Sequence, residues 1–279
     1  MNKHNAECLP LKIRIGIVEE IKARGFGHIG GSLSVADALA VLYGEILRLD
    51  PANPKWQDRG KFVFSKGHAG PAEYAALAAK GFIPWETLRT LNQPGTILPS
   101  HCDRLKTPGV DMTTGSLGQG TSQAVGLALG DRLKGRDSRT YLFVGDGEMN
   151  EGQVWEAAMF TAAKKVTNLF WLLDVNGKQM DGPTADIMDM GSIEKQFDAF
   201  GFEVRSIDGN DVDQLYDVLS RPAADRPVAV IMHTVKGAGV PDVENTAANH
   251  SMTVGPETCD GWLNQLNAQL ATLEKEAAL

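Results

Sequence analysis

Basic residues are the minority charge in this chain. Its 279 residues carry 27 Lys and Arg against 35 Asp and Glu, a formal net charge of −8. That balance argues against a nonspecific nucleic-acid partner, and an anionic ligand would need local help from a metal, histidines or backbone amides. Cysteine is scarce: Cys8, Cys102 and Cys259 are odd in number and form no CxxC, which fits a reduced, cytoplasmic chain better than a secreted one. No apolar run approaches the ~18 residues of a membrane span, and the N-terminus lacks the apolar core of a signal peptide. The expected protein is therefore cytoplasmic, with no membrane partner. No GxxxxGK[ST] occurs, which excludes a P-loop, and "GSLGQG" has the spacing GxxGxG after no strand, so it is not a dinucleotide fingerprint. Repeats, low-complexity tracts and linkers are also missing, and one domain over residues 1–279 is expected.

What is present is hydrophobic periodicity, at an ordinary 43% hydrophobic content, and 30 glycines. Ile13, Ile17 and Ile21 recur every four residues before Gly25, as in a helix with a glycine stop. A second helix is expected from Ser34, burying Val35, Leu39, Leu42 and Ile46. "KFVFS" reads as a buried strand and "PAEYAALAAKG" as a helix opened by Pro71 and closed by Gly81. Residues 82–111, with four prolines, read as a long functional loop. From residue 115 the pattern is regular: a helix over about 118–134, strand "TYLFVG", helix, strand "LFWLLDV", helix, strand "FEVRSI", helix, strand "VAVIMHT" and a terminal amphipathic helix. Strands alternating with helices of 10–15 residues predict an α/β fold, a parallel sheet with helices on both faces.

Two strands end on oxygen-bearing side chains. "FVGDGEMNEG" closes on Asp146, Glu148 and Glu151, and "LFWLLDVNGKQMDG" on Asp174 and Asn176. An unpaired buried carboxylate is costly, so a cation is expected nearby. One crossover helix separates the two strands, which should return parallel and adjacent, roughly 4.8 Å apart. Ligands of parallel sheets bind beyond such carboxyl ends. A carboxylate, an amide oxygen, a backbone carbonyl and ligand phosphates suit Mg²⁺ or Ca²⁺. Turn formation or helix capping by the same residues is the alternative this pattern leaves open. Gly145 and Gly147 would let a phosphate approach the backbone.

Of the six histidines, His4 and His233 read as structural, whereas His28, His68, His101 and His250 stand in glycine-rich or polar contexts suited to proton transfer and anion binding. At this point "GDGEMNEGQVWEA…DVNGKQMDG", "SKGHAG", "TTGSLGQG" and "KGAGVPDVENTAANHSM" together resemble the diphosphate-binding half of the thiamine diphosphate-dependent transketolases. The likeness runs from about residue 10 to 260 and is nearest the N-terminal chain of the split members, whose catalytic domains are separate polypeptides.

The resemblance implies a role for each matched residue. Asp146, Asn176 and the backbone oxygen of Lys178 match metal ligands. His68 and Gly147, with Glu148 and Asn176 beside them, match the cofactor's diphosphate end. Gly115, Ser116 and Leu117 match the loop reaching its aminopyrimidine and thiazolium rings. His28, His101 and His250 match histidines facing the reacting carbons. Glu151 and Glu156 match a carboxylate network that crosses a dimer interface between two cofactors. The implied activity is transfer of a two-carbon ketol unit between sugars or sugar phosphates, with the cofactor as electron sink and a histidine moving a hydroxyl proton. The pyrimidine-binding and C-terminal domains would come from a partner chain, in an α₂β₂ assembly. The chain departs from the family where His-Pro-Glu becomes His101-Cys102-Asp103 and where Pro becomes Ser116; His101 still precedes Gly115 by fourteen residues, the family interval. A 2-oxo acid dehydrogenase α chain and a deoxyxylulose-phosphate synthase share the metal motif, but "SKGHAG" and the His101 loop argue against both. A non-catalytic cofactor-binding subunit would be free to lose His28, His101 and His250.

Overall fold

The computed structural model of the chain describes residues 3–277, and the side chains of residues 7–276. Five parallel strands form the central sheet: β1 (Lys61–Phe64), β2 (Thr140–Gly145), β3 (Leu169–Val175), β4 (Glu203–Asp208) and β5 (Val228–His233), in the spatial order β1-β2-β3-β5-β4. The helices are α1 (Lys3–Arg24), α2 (Ile29–Leu33), α3 (Ala36–Val41), α4 (Gly70–Ala79), α5 (Gln119–Leu133), α6 (Gly152–Ala163), α7 (Thr184–Met188), α8 (Ile193–Phe200), α9 (Val212–Ser220), α10 (Pro241–Glu244) and α11 (Pro256–Ala277).

Successive strand residues point to opposite faces, and here both faces are apolar. Phe62, Phe64, Tyr141, Phe143, Phe170, Leu172, Val228 and Val230 pack toward α1–α4, α9 and α11. The intervening Val63, Leu142, Val144, Trp171, Leu173, Ala229 and Ile231 pack toward α5, α6 and α8. This is why the inner strands read as unbroken apolar runs. The edge strand β4 alternates instead, with Ser206 and Asp208 exposed. The expected fold class is borne out.

Three local features depart from the sequence expectation. The helix expected from Ser34 begins at Ile29, breaks at Ser34–Val35, resumes as α3 and widens into a π-turn over Leu42–Ile46. Every residue from Ile29 to Val41 is buried, so no face contrasts with another and periodicity cannot mark the start. The long 82–111 loop is irregular apart from a 3₁₀ turn over Trp85–Thr90. A two-residue antiparallel pairing joins Phe26–Gly27 to Met252–Thr253, more than 220 residues apart. It has no sequence signature, yet it sets the chain before His28 against the chain after His250. The side chain of His4 lies outside the described residues, and His233 is an exposed residue bonded to Ser206 and paired with Glu194.

No described helix is long and apolar enough to cross a membrane.

Candidate active site

The carboxyl ends of β1, β2, β3 and β5 open into one cavity of about 290 Å³. A separate, larger cleft of 980 Å³ lies between α1, α9 and α11, next to the turn that follows β4; there Arg14 and Asp37 are paired with each other.

At the floor, β2 and β3 are adjacent and in register, with Gly145 opposite Asp174. Asp146 follows directly. Its Oδ2 accepts the amides of Asn176 (3.0 Å) and Gly177 (2.7 Å), and its Oδ1 that of Gly147 (2.8 Å). Burial and the neighbouring Asp174 push its carboxyl up to about 6. Asn176 Oδ1 accepts the amide of Lys178 at 3.1 Å. Among the described residues no group of three or more His, Cys, Asp or Glu is placed to hold a metal. A cation here would therefore rest on one carboxylate and neutral oxygens, completed by oxygens of a ligand. The Lys178 carbonyl already accepts a cation, the Lys236 ammonium, at 2.9 Å.

The cation expected beside a buried carboxylate is Lys66, which no strand-end pattern marks in the sequence. It pairs with the fully buried Asp174, which also accepts from Ser34 (3.0 Å), Thr234 and Asn176 Nδ2 (3.1 Å). Burial pushes the Asp174 carboxyl up, but Lys66 and the hydroxyl donors outweigh it and hold it below the ordinary range. "SKGHAG" puts Lys66 two residues before His68; only the fold places it against β3.

Glu148 lines the cavity but turns its oxygens inward, to the Ser65 hydroxyl and the amides of Gly118 (2.9 Å) and Gly145 (3.1 Å). It anchors the 115–118 loop to the end of β2. Its carboxyl is raised by burial.

Above the floor four imidazoles converge. Ring centroids lie 5.3 Å apart for His28–His68, 6.0 Å for His28–His101, 5.3 Å for His28–His250 and 4.9 Å for His68–His250. They come from four separate segments, and close backbone contacts hold them together. Gly30 donates to Asn249 O at 3.0 Å and accepts from the Gly237 amide at 3.1 Å, and a Cβ on Gly30 would lie 2.2 Å from Asn249 O. Gly115 has φ +127, and a Cβ there would sit 2.6 Å from the His101 ring. Burial lowers the pKa of all four rings; Lys66 lowers His68 further, and Lys236 brings His250 to about 4. The rings are neutral at neutral pH, the form that accepts a proton.

Gly115, Leu117, Gly147, Asn176 and Lys178 line the same cavity. Ser116 is exposed beside it and is not part of its lining. Glu151 and Glu156 are exposed near the start of α6, outside the cavity. Lys236, at the end of the β5 turn, is 5% exposed and lines the cavity; burial, then Lys66, lowers its pKa to about 8. Nothing in "KGAGV" as a sequence marks it.

Residues 8–269 match the family described as the thiamine diphosphate binding domain of transketolase. The chain belongs to the transketolase family. Among its transketolase relatives is the 6-deoxy-6-sulfo-D-fructose transketolase subunit SqwG of Clostridium sp. (strain MSTE9), 46% identical over 268 residues that make up 95% of either chain. An apulose-4-phosphate transketolase subunit of Phocaeicola vulgatus is 36% identical over 99% of both chains. The transketolase of Homo sapiens is 32% identical over 95% of this chain and 42% of its own length. The crystal structure of transketolase from Campylobacter jejuni superposes with a TM-score of 0.89 at 27% identity, covering 98% of this chain and 46% of that one. The chain thus spans under half of these single-chain transketolases and nearly all of the named subunits. It is an N-terminal transketolase subunit of the split kind, part of a thiamine diphosphate-dependent transferase of ketol units.

Proposed function

We propose that this chain holds the diphosphate and metal end of thiamine diphosphate and carries the histidines that move protons during ketol transfer. The observation behind this reading is the convergence of four neutral imidazoles over an oxygen-donor floor made by two adjacent strand ends. Asp146, Asn176 Oδ1 and the Lys178 carbonyl would hold Mg²⁺ or Ca²⁺, whose remaining ligands would be phosphate oxygens. His68 and the Gly147 amide would contact the diphosphate. Gly115 and Leu117 would face the cofactor's rings, with Ser116 at the rim. Glu148 supports this loop from beneath. Bound thiamine diphosphate supplies an electron sink for cleavage of the carbon–carbon bond next to a ketose carbonyl.

His101 and His28 are the fitting bases, since both are partly accessible and neutral at neutral pH. Either can take the hydroxyl proton released on bond cleavage and return it to the acceptor product. His250, with its pKa near 4, holds a proton poorly and serves better in orienting the substrate's hydroxyl groups.

The donor and acceptor are proposed to be sugars or sugar phosphates, because two full-length relatives are named for a sulfo-sugar and a sugar phosphate. A pyrimidine-binding partner subunit would complete each site. Exposed Glu151 and Glu156 would meet a second copy across a two-fold axis, giving α₂β₂. The cytoplasm is the proposed location. Acid extraction of the purified complex tests the cofactor: mass spectrometry should find thiamine diphosphate, and a nicotinamide in its place would refute the reading.

A further inference from the structure

His101 sits on an irregular loop, so no helix or strand fixes the direction of its ring. Its position has to come from contacts made by the residues on either side. Pro99 O accepts the Tyr74 hydroxyl at 2.8 Å, and Cys102 O accepts the Thr114 amide at 3.1 Å. The Thr114 hydroxyl donates in turn to Phe64 O, at the end of β1, at 2.6 Å.

The Cys102 side chain ties the loop down further. Cys102, where the chain departs from the family pattern, does not line the cavity and is 1% exposed. Its thiol meets one side of α4. A Cβ on Gly70 would lie 3.4 Å from Sγ, Glu73 is hydrogen-bonded to the thiol, and the Tyr74 hydroxyl is beside it. Positions 70, 73 and 74 are i, i+3 and i+4 of one helix and so share a face. The same helix begins two residues after His68. It therefore spaces the His101 loop from His68, and Cys102 seats the loop on it.

Glu73 is a costly group to find at this seat. It is 1% exposed, and its Oε2 has no hydrogen-bond partner among the described residues. Arg59, the cation that acts on it, is paired with Asp111. An ionised carboxylate so placed would be strongly disfavoured. Burial raises its carboxyl to about 8, so at neutral pH Glu73 is a neutral acid. In that form it bonds the Cys102 thiol and the Tyr43 hydroxyl without setting a charge behind the His101 loop.

We propose that Cys102 and Glu73 are positioning residues for ketol transfer, whose hydrogen bond seats the His101 ring 6.0 Å from that of His28. Neither side chain lines the cavity, and both act through the loop. The inference rests on the assignment of His101 as a proton carrier above.

The test compares Cys102→Ala, Cys102→Ser, Glu73→Leu and Glu73→Gln with the wild type, each in complex with the partner subunit and checked by thermal melting. Cys102→Ala and Glu73→Leu should lower kcat about 10- to 100-fold, the cost of displacing a catalytic group by up to about 1 Å. Affinity for thiamine diphosphate with Mg²⁺, read by calorimetry, should not change. Cys102→Ser and Glu73→Gln keep a hydrogen bond between the two positions and should recover most of the rate. In a His101→Ala background Cys102→Ala should add nothing, because the residue it acts through is gone. A packing role alone would cost the same factor in both backgrounds, and that result overturns the proposal. So does wild-type kcat in Cys102→Ala, or a loss in Cys102→Ser as large as in Cys102→Ala. If Cys102→Ala does not fold, Glu73→Leu against Glu73→Gln, with and without His101→Ala, makes the same comparison. Wild-type transfer by His101→Ala would remove the assignment of His101 and this inference with it. An impaired His101→Ala beside an unimpaired Cys102→Ala would defeat this inference alone.

Discussion

Replacing Asp146 by Asn isolates the charge of the proposed metal ligand while keeping its shape. In the structure Oδ2 accepts two backbone amides and Oδ1 accepts one. An Asn can keep its carbonyl oxygen on the Asn176 and Gly177 amides, but its NH₂ then faces the Gly147 N–H, donor against donor. One hydrogen bond to a charged acceptor is lost and one amide is left unpaired, at about 1–3 kcal/mol. Part of that is offset, because burial and Asp174 already disfavour the Asp146 carboxylate and hold its pKa near 6. A net loss of about 1 kcal/mol lowers Tm by only ~2–4 °C in a chain of this size. Binding should respond far more strongly. Loss of a mere supporting partner costs a metal site about 10- to 100-fold in affinity, and here the sole carboxylate ligand goes. Calorimetry of Asp146→Asn with thiamine diphosphate and Mg²⁺, with the partner present, should show at least about 100-fold weaker binding. A variant that melts within a few degrees of wild type and binds cofactor with unchanged affinity would refute the metal assignment.

With cofactor binding intact, His101→Ala or His28→Ala should lower ketol transfer about 10²- to 10⁴-fold, whereas His68→Ala should act mainly on cofactor affinity; wild-type transfer by His101→Ala would remove that residue from the mechanism. Glu73, fully buried in α4, has its carboxyl pushed up to about 8 by burial from an ordinary 4.5. The folded chain therefore keeps a proton that the unfolded chain releases. Its contribution to stability is complete below about pH 4.5 and is lost as pH rises to about 8, at up to about 1.4 kcal/mol per unit. Glu73→Gln should flatten part of that slope in denaturant titrations between pH 5 and 8; Glu20, Asp111, Asp146 and Glu148, whose carboxyls burial raises in the same direction, retain their own share of it. Identical slopes in the two proteins would contradict this.

The sheet was legible in the sequence because its strands are buried on both faces and bounded by helices of ordinary length. "TYLFVG" and "LFWLLDV" match β2 and β3 residue for residue. Their adjacency followed from the single crossover helix between them, and so did the meeting of Asp146 with Asn176. The α2–α3 break was not legible, since burial all round erases a helical period. Lys66 and Lys236 were missed for a different reason. Each lies in a recognised motif, but their importance depends on which carboxylate the fold brings within reach. Asp174 pairs with Lys66 across 108 positions, whereas Lys236 receives no carboxylate partner among the described residues. The joining of His28 to His250 rests on four backbone residues and one close glycine, for which no side-chain pattern exists.

The central claim is that this chain carries half of a site that a partner subunit completes. The most direct measurement is a coupled assay of ketol transfer from a ketose donor to an aldose acceptor, with Mg²⁺ and thiamine diphosphate, on the purified chain before and after the partner is added. The account predicts no transfer by the chain alone and transfer on mixing, saturating at one partner per chain. Full activity from the isolated chain would contradict it.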